Sequence, residues 1–271
     1  MAEAVQRTSS RRTIAVIIPA RYASSRFPGK PLAWLGDKPM IQQVYERARS
    51  ARGVSRVVVA TDDERIRQAV IGFGGEALIT GGDLRSGSDR VAAVAREVSA
   101  DVYVNLQGDE IPLAPAFVED LIVPFTNSDA EVGTLKKAIT EERDLLDPNV
   151  VKVVTDRHGD ALYFSRSPIP CVRDRRAGES GLVPDLHWKH LGLYIYTAAA
   201  LARFAELPSG TLEVTEQLEQ LRLLEAGIRI RVWETTQASL RVDTPTDLER
   251  AHQILTREGA RLGALGAGGC D

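Results

Sequence analysis

The sequence predicts a three-layer α/β fold of the Rossmann-like kind, with a mostly parallel central sheet between helices. The apolar run Ile14–Ile18 has the length and β-branching of a strand buried on both faces. A helical pattern follows from Met40 to Ala48, then a second buried strand over Arg56–Thr61. A helix from about Glu64 to Phe73 and a short strand at 77–80 complete a βαβαβ alternation. That order is typical of parallel strands joined by right-handed crossovers.

Length and turn spacing predict one large domain over residues 13–260, with a disordered leader at 1–12 and a disordered tail at 261–271. Within it, residues 131–192 carry short strand-like runs separated by Asp-Pro-Asn and His-Gly-Asp turns. We expect this segment to form a smaller, mixed β insertion beside the parallel sheet. Such an element suits a dimer arm, and we expect a homodimer.

Composition excludes several classes of function. The net charge of −3 argues against a general nucleic-acid or membrane surface. The sequence contains no run of about 18 apolar residues, so no transmembrane helix is predicted. The basic leader lacks the apolar segment of a secretory signal. Only two cysteines are present, Cys171 and Cys270, which is no disulfide framework and no metal cluster. We therefore expect a cytoplasmic protein.

A cationic loop follows the first strand. Arg21, Arg26 and Lys30 lie within ten residues, together with Ser24 and a Pro-Gly turn. Because this loop leaves the carboxyl end of a parallel strand, we expect it to border the ligand crevice of the sheet. Three cations there suit a polyanion such as a triphosphate. The loop is neither a Walker loop nor a dinucleotide fingerprint, and a solvated basic loop is the alternative.

Acidic residues follow another predicted strand, Val102–Leu106, in the turn that contains Gln107 and Asp109. A carboxylate at this edge can hold a Mg²⁺ ion that bridges substrate phosphates, because magnesium takes only one or two protein carboxylates. A Gly-Asp turn with solvated acids is the alternative. Farther along, Thr244 and Pro245 start the last helix and leave the preceding Asp243 free for chemistry.

Three further stretches are ambiguous on their own. Ser88 is a candidate N-cap for a helix from about Val91 to Val98, and its loop could equally hold a ligand on free backbone amides. A strand from His190 to Tyr196 places His190, Gly192, Tyr194 and Tyr196 on one face, either as structural residues or as a sugar-acid pocket. One amphipathic helix is predicted from Leu212 to the stop at Gly227, with Glu219 and Gln220 on its polar side.

The chain resembles a known family through six blocks in the expected order. The first reads Pro-Ala-Arg-Tyr-x-Ser-x-Arg-x-Pro-Gly-Lys-x-Leu, and the others are Ser-Gly-Ser-Asp-Arg, Gln-Gly-Asp-Glu, His-x-Gly-x-Tyr with Leu-Glu-Gln-Leu-Arg, and Val-Asp-Thr-Pro-x-Asp-Leu. These blocks are similar to those of the CMP-Kdo synthetases, or 3-deoxy-manno-octulosonate cytidylyltransferases, in the nucleotide-diphospho-sugar transferase superfamily. Kdo is 3-deoxy-D-manno-octulosonate. Ile111 and Arg241 depart from the family pattern, which usually has Pro and Gly there.

The resemblance implies the reaction of CTP with Kdo to give CMP-Kdo and pyrophosphate, with Mg²⁺ as cofactor, for lipopolysaccharide biosynthesis. It implies catalytic roles for Arg21, Lys30, Asp109 and Asp243, with both aspartates as metal ligands. It implies CTP binding by Arg21, Ser24, Arg26, Lys30, Arg85, Ser86, Ser88 and Gln107. It implies sugar binding by Gln107, Arg166, His190, Tyr194, Glu219 and Gln220. A related acidic sugar (sialic-acid-like or 8-amino-Kdo), another nucleotide, or a catalytically silent nucleotide-binding protein remain alternatives.

Overall fold

The structure is a computed structural model that describes residues 12–24, 26–84, 86–173 and 181–266. Its strands are β1 Ile14–Ala20, β2 Trp34–Leu35, β3 Lys38–Pro39, β4 Arg56–Thr61, β5 Ala77–Ile79, β6 Val102–Leu106, β7 Glu110–Pro112, β8 Val132–Ala138, β9 Lys152–Thr155, β10 Ala161–Ser165, β11 Trp188–Thr197, β12 Arg231–Glu234 and β13 Ser239–Arg241. Its α-helices are α1 Met40–Ser50, α2 Glu64–Gly72, α3 Gly87–Ala95, α4 Ala116–Thr126, α5 Glu142–Leu146, α6 Ala198–Glu206, α7 Thr211–Glu216, α8 Leu221–Glu225 and α9 Pro245–Gly266. A 3₁₀ turn spans Lys30–Leu32.

The central sheet has the order β5-β4-β1-β6-β11-β8-β12. β5, β4, β1 and β6 are parallel to one another, and β12 is parallel to β8. β11 runs antiparallel to both of its neighbours in this row, β6 and β8. The β9–β10 hairpin joins the sheet at the amino-terminal part of β11. Most of the β-rich segment predicted for residues 131–192 thus extends the central sheet itself.

Helices cover both faces of this sheet, which confirms the predicted three-layer fold. Alternate residues of β1 point to opposite faces, as a strand buried on both sides requires. Ile14, Val16 and Ile18 pack with the apolar residues of α1, α2 and α4, whereas Ala15 and Ile17 pack with those of α3, α6 and α8. No helix in the described part of the chain has the length and apolar character needed to cross a bilayer.

The carboxyl ends of β1 and β6 meet at the edge from which the predicted site loops leave. The backbone N of Gly108 donates to Pro19 O at 3.2 Å. A Cβ atom added at Gly108 would lie 2.7 Å from the same oxygen, so only glycine allows the two chain segments to approach so closely. This contact places the Arg21–Lys30 loop beside Gln107 and Asp109.

A small two-stranded sheet, β7–β13, brings the last acidic block to the same edge. β13 runs antiparallel to β7, with Arg241 opposite Glu110. Beyond the strands, the backbone N of Val242 donates to Asp109 O at 3.0 Å. The helix start predicted at Thr244 is confirmed: Asp247 accepts from Thr244 N (2.9 Å) and returns its own N–H to Thr244 Oγ1 (3.2 Å).

Two local predictions are wrong. The helix predicted from about Val91 with Ser88 as its N-cap begins at Gly87 instead. Its N-cap is Ser86, which forms a capping box with Asp89, and Ser88 lies inside the first turn. The single helix predicted from Leu212 to Gly227 is broken into α7 and α8, because Gln217 adopts a left-handed conformation (φ 52°). α9 continues to Gly266, past the start of the predicted tail. Residues 1–11 of the predicted leader and residues 267–271 of the predicted tail lie outside the described residues.

Candidate active site

A cleft of about 1150 Å³ opens at the carboxyl edge of the sheet. Its wall combines residues from the turns after β6 and β13 with residues from β11 and from the segment between α7 and α8. Predicted site residues that line it are Arg26, Ser86, Gln107, Asp109, Arg166, His190, Tyr194, Glu219, Gln220 and Asp243. Blocks that are more than 200 residues apart in sequence therefore share one cavity.

Charged side chains of alternating sign meet at one end of this cleft. Lys30 Nζ lies 2.5 Å from Asp109 Oδ2 and 3.4 Å from Asp243 Oδ1, and it also donates to Val242 O at 3.1 Å. Arg26 Nη2 lies 3.2 Å from Asp243 Oδ1, and Arg241 Nε lies 3.0 Å from Oδ2 of the same carboxylate. Both predicted metal carboxylates therefore converge on one lysine from the cationic loop.

The pKa values at this end follow from burial and the neighbouring charges. Burial works against ionisation of Asp243, but Arg241, Lys30 and Arg26 outweigh it, so the pKa of this carboxyl lies below its ordinary value. Burial raises the pKa of Glu110, which points inward and accepts a hydrogen bond from the Ser239 hydroxyl. Asp243 is thus held as a carboxylate facing the cleft, whereas the buried Glu110 carboxyl is disfavoured as an anion.

The acidic pair fits a small divalent cation in its chemistry. Asp109 and Asp243 are both partly exposed to the cleft, and an atom of one side chain, Lys30 Nζ, is within 3.4 Å of both carboxylates. Magnesium typically takes one or two protein carboxylates and completes its shell with water and phosphate oxygens. No group of three or more His, Cys, Asp or Glu side chains suited to a metal occurs among the described residues. Two carboxylates are too few for a metal site made of protein ligands alone, but they suit a magnesium ion that is also bound by substrate phosphates.

Hydroxyl and amide groups form a connected network on the second wall, near the start of α3. The fully buried Asn105 donates to Ser88 Oγ (3.1 Å) and accepts from Gln107 Nε2 (3.0 Å). Glu219 accepts from both Ser88 Oγ (2.8 Å) and Ser88 N (3.2 Å), and burial raises the pKa of this carboxyl. A Cβ atom at Gly87 would lie 2.6 Å from Gln107 Nε2, so glycine makes room for the Gln107 amide. These contacts fix the groups predicted to bind the nucleotide.

Aromatic side chains and two unpaired polar atoms form the third wall. His190 lies against Tyr194, with ring centroids 5.2 Å apart, and against Phe164 at 4.9 Å. Burial, with a smaller contribution from Arg241, lowers the pKa of His190 to about 3, so its ring is neutral near pH 7. The buried atoms Tyr194 Oη and Gln220 Nε2 have no hydrogen-bond partner among the described residues. Buried polar groups without partners are rare, and the two residues that carry these atoms line the cleft.

The Thr134 hydroxyl ties His190 to the neighbouring strand. Its Oγ1 lies 3.0 Å from His190 Nε2, and it is also within hydrogen-bond distance of two backbone carbonyls, Leu193 O at 2.8 Å and Leu191 O at 3.1 Å.

The remaining predicted residues lie in different positions. Arg166 lines the cleft but donates three of its five N–H groups to backbone carbonyls: Glu216 O (2.6 Å), Pro148 O (2.9 Å) and Gln217 O (3.2 Å). Arg21 donates to Leu84 O and so ties the cationic loop to the loop before α3. Ser24 lies in the cationic loop, where its backbone N donates to Tyr22 O. Arg85 falls outside the described residues, so its predicted role stays a prediction.

Some residues of the cleft were not predicted. Lys137 and Lys189, paired across β8 and β11, both line it, as does Arg241. Asn105 connects Ser88 with Gln107 from inside the core. A signal for Asn105 was available, because an amide stands in the otherwise apolar run Val102–Leu106 and buried polar side chains need partners. Lys137 and Lys189 lie in strands where apolar and polar residues alternate less regularly. No comparable feature of the sequence indicated that these lysines face the cleft.

Comparisons with known proteins agree with this geometry. Residues 15–230 match the family model described as cytidylyltransferase. The chain belongs to the cytidylyltransferase family. It is 53% identical over 249 residues to the 3-deoxy-manno-octulosonate cytidylyltransferase of Geobacter sulfurreducens, covering 89% of this chain and 99% of the relative. The enzyme of the same name from Solibacter usitatus is 50% identical, with coverage of 90% and 94%.

A solved structure is similar to this cytidylyltransferase over most of its length. CMP:2-keto-3-deoxy-manno-octonic acid synthetase, complexed with CTP, superposes with a TM-score of 0.83 at 45% identity and covers 91% of this chain and 99% of its own. A putative glucose-1-phosphate thymidylyltransferase from Bacillus anthracis, at 17% identity and a TM-score of 0.63, shares the fold. The predicted family is confirmed, and with it the prediction that the chain is a nucleotidyltransferase.

Proposed function

We propose that this nucleotidyltransferase transfers the cytidylyl group of CTP to 3-deoxy-manno-octulosonate and releases pyrophosphate. The observation that carries the proposal is the division of one cleft. One end holds a lysine and an arginine with two carboxylates, which suits a triphosphate and its cation. The far wall holds the unpaired Tyr194 Oη and Gln220 Nε2 beside a neutral histidine, which suits the hydroxyls of a sugar. The relatives at about 50% identity carry the name of this reaction.

The chemistry is an in-line displacement at phosphorus. The oxygen of the anomeric hydroxyl of the sugar acid forms a bond to the α-phosphorus of CTP, and the bond from that phosphorus to the β-phosphate oxygen breaks. The hydroxyl proton leaves to solvent, and pyrophosphate carries the electron pair away. Arg26 and Lys30 neutralise negative charge that moves onto the leaving group. Catalysis then rests on positioning and charge neutralisation, with no covalent bond to the protein.

Asp109 and Asp243 are the residues that would hold Mg²⁺. The ion, when bound, supplies charge neutralisation at the phosphates. Lys30, which lies between both carboxylates, keeps them close together, so the pair is already assembled. The nucleotide base would be bound by Ser86 and Gln107, whose positions are fixed by the start of α3 and by Asn105.

Pyrophosphate release from CTP, 3-deoxy-manno-octulosonate and Mg²⁺ tests the proposal, with each component omitted in turn. We expect release only when all three are present. Replacement of CTP by UTP, GTP or ATP, and of the acceptor by a sialic-acid-like or 8-amino sugar acid, separates the alternatives. Release with another acceptor alone would keep the reaction class and change the substrate. Binding of CTP without release for any acceptor would contradict the proposal.

Two further expectations belong to the same proposal. We infer that the enzyme acts in the cytoplasm, where CTP is available, and that it is a homodimer. The support is the soluble composition of the chain and its β-rich segment at 131–192. Light scattering coupled to size-exclusion chromatography tests the dimer: a mass near 29.6 kDa, that of one chain, at micromolar concentration would contradict it.

A further inference from the structure

A buried arginine joins the two halves of the cleft. The Arg222 side chain is only 1% exposed and lies behind the wall, on α8. Its Nε and Nη2 atoms form a fork on Glu213, at 2.8 Å from Oε2 and 2.5 Å from Oε1. Its Nη1 atom donates to Asp89 Oδ1 at 3.0 Å. One guanidinium thus contacts a carboxylate of α7 and a carboxylate of α3.

The Asp89 end of this contact is part of the nucleotide-side wall. Asp89 Oδ2 accepts from the Ser86 backbone N (3.1 Å) and the Ser86 hydroxyl (2.9 Å), which forms the capping box of α3. The second oxygen, Oδ1, accepts the hydrogen bond from Arg222 Nη1. Because Ser86 and Gly87 line the cleft, any shift of Asp89 moves the groups proposed to bind the nucleotide.

The Glu213 end is part of the sugar-side wall. Glu213 lines the cleft on α7, and Arg222 itself follows Glu219 and Gln220 within one turn. Glu219 makes a second, parallel connection, since its carboxylate accepts from Ser88 N and Ser88 Oγ on α3. The break between α7 and α8 at Gln217 means that no continuous helix holds this segment in register. These side-chain contacts, together with the apolar packing of Leu221 and Leu223, hold it against α3.

Electrostatics keep the Arg222 guanidinium charged and paired with its two carboxylates. The hydrogen bonds that Arg222 donates to Glu213 raise the pKa of the guanidinium, and burial only partly opposes them. The guanidinium also stacks near the Phe204 ring, 4.5 Å from its centroid. An arginine fork matches two carboxylates at once, whereas a lysine is a point charge and satisfies one of them.

We propose that Arg222, acting through Asp89 and Glu213, is a positioning residue that aligns the sugar-side segment with the nucleotide-side helix start. It touches neither reacting group. Its contribution is therefore to the relative placement of the two bound substrates, on which the displacement depends. This inference rests on the proposed function, because that function assigns the two sides of the cleft.

Arg222→Lys and Asp89→Asn, alone and together, test the inference by steady-state pyrophosphate release. We expect each single variant to lower kcat at least tenfold, and in Arg222→Lys the Kd of CTP alone, measured by calorimetry, should change less than threefold. The double variant should lose little more than either single one, because both remove the same contact. Arg231→Lys is the matched control: Arg231 pairs with Asp160 at 2.6 Å on the opposite edge of the sheet, away from the cleft.

The outcomes separate the possible failures. An inactive wild-type protein would contradict the proposed function and not this inference. An unchanged kcat in Arg222→Lys, or losses that multiply in the double variant, would overturn the positioning role. An equal loss of kcat in Arg231→Lys would show general destabilisation instead, and would overturn it as well. Titration with CTP gives the concentration of competent protein, so partial misfolding does not imitate a fall in kcat.

Discussion

At the scale of single residues, the Asp109 carboxylate decides whether the acidic pair works as proposed. Asp109→Asn keeps the size of the side chain but removes the charge that faces Lys30 at 2.5 Å and, in the proposal, the metal. We expect pyrophosphate release to fall by about a hundredfold or more, since charge stabilisation of this kind is worth that much in other active sites. The fold should survive, because Asp109 is partly exposed. An unaltered rate would contradict the assignment of Asp109.

His190 supplies a second test at this scale, through pH. Burial, with Arg241 nearby, lowers its pKa from 6.5 to about 3 in the folded protein. Between those values the unfolded chain binds a proton that the folded chain does not, so stability is lost as pH falls from 6.5 toward 3. One such group contributes up to about 1.4 kcal/mol per pH unit. Urea unfolding at pH 7, 6 and 5 should show a shallower loss in His190→Asn. Equal slopes would contradict a neutral, buried imidazole.

At the scale of secondary-structure elements, the close contact of β1 with the turn after β6 holds the site edge together. Gly108→Ala would place Cβ 2.7 Å from Pro19 O, a backbone atom that cannot turn away. We expect a loss of about 1–3 kcal/mol in the free energy of unfolding, as for other overpacked sites. Gly82→Ala is the control, since no heavy atom lies within 4 Å of a Cβ there. Urea denaturation should show a lower free energy of unfolding for Gly108→Ala than for Gly82→Ala. Equal values would contradict the close approach of Gly108 to Pro19 O.

The elements also show how far sequence reasoning reaches. The strands Arg56–Thr61 and Val102–Leu106 were predicted with the observed bounds, because a buried parallel strand is a continuous apolar run. For residues Leu212 to Gly227 the prediction was one continuous helix, because the leucine spacing is helical throughout, and the break between α7 and α8 was missed. Tertiary contacts break it: Arg166 takes the carbonyls of Glu216 and Gln217, which a continuous helix would have used itself.

Candidate site residues divide in a similar way. Arg26, Gln107 and Asp109 were predictable because they come shortly after buried strands, whereas the other predicted residues in the cleft were assigned through the family resemblance. The Ser86 cap carries the Ser-x-x-acid spacing of a capping box, so that error was avoidable. The Asp89–Arg222 contact spans 133 positions, and no local pattern connects its ends. Long-range ion pairs of this kind depend on the packing of α3 against α8 and become visible only in three dimensions.

At the scale of the whole molecule, ligand binding should stabilise the fold because the cleft joins blocks from residue 26 to residue 243. CTP at about 100 times its Kd adds about 2.7 kcal/mol to the free energy of unfolding. For a chain of this size that is a rise of about 5–10 °C in Tm. Because CTP contributes its phosphates to the proposed cation site, part of the rise should require Mg²⁺ and disappear with EDTA.

Asp243→Asn isolates the cation-dependent part of this stabilisation. The variant removes the carboxylate that Lys30, Arg26 and Arg241 now share, so those cations remain free to meet the triphosphate. We therefore expect the rise with CTP and EDTA to be kept or increased, and the additional rise on adding Mg²⁺ to be lost. Differential scanning fluorimetry with CTP, with and without Mg²⁺, measures both parts. A Mg²⁺-dependent rise as large as in the wild type would place the cation elsewhere, and the second carboxylate of the proposed site would then have no metal to hold.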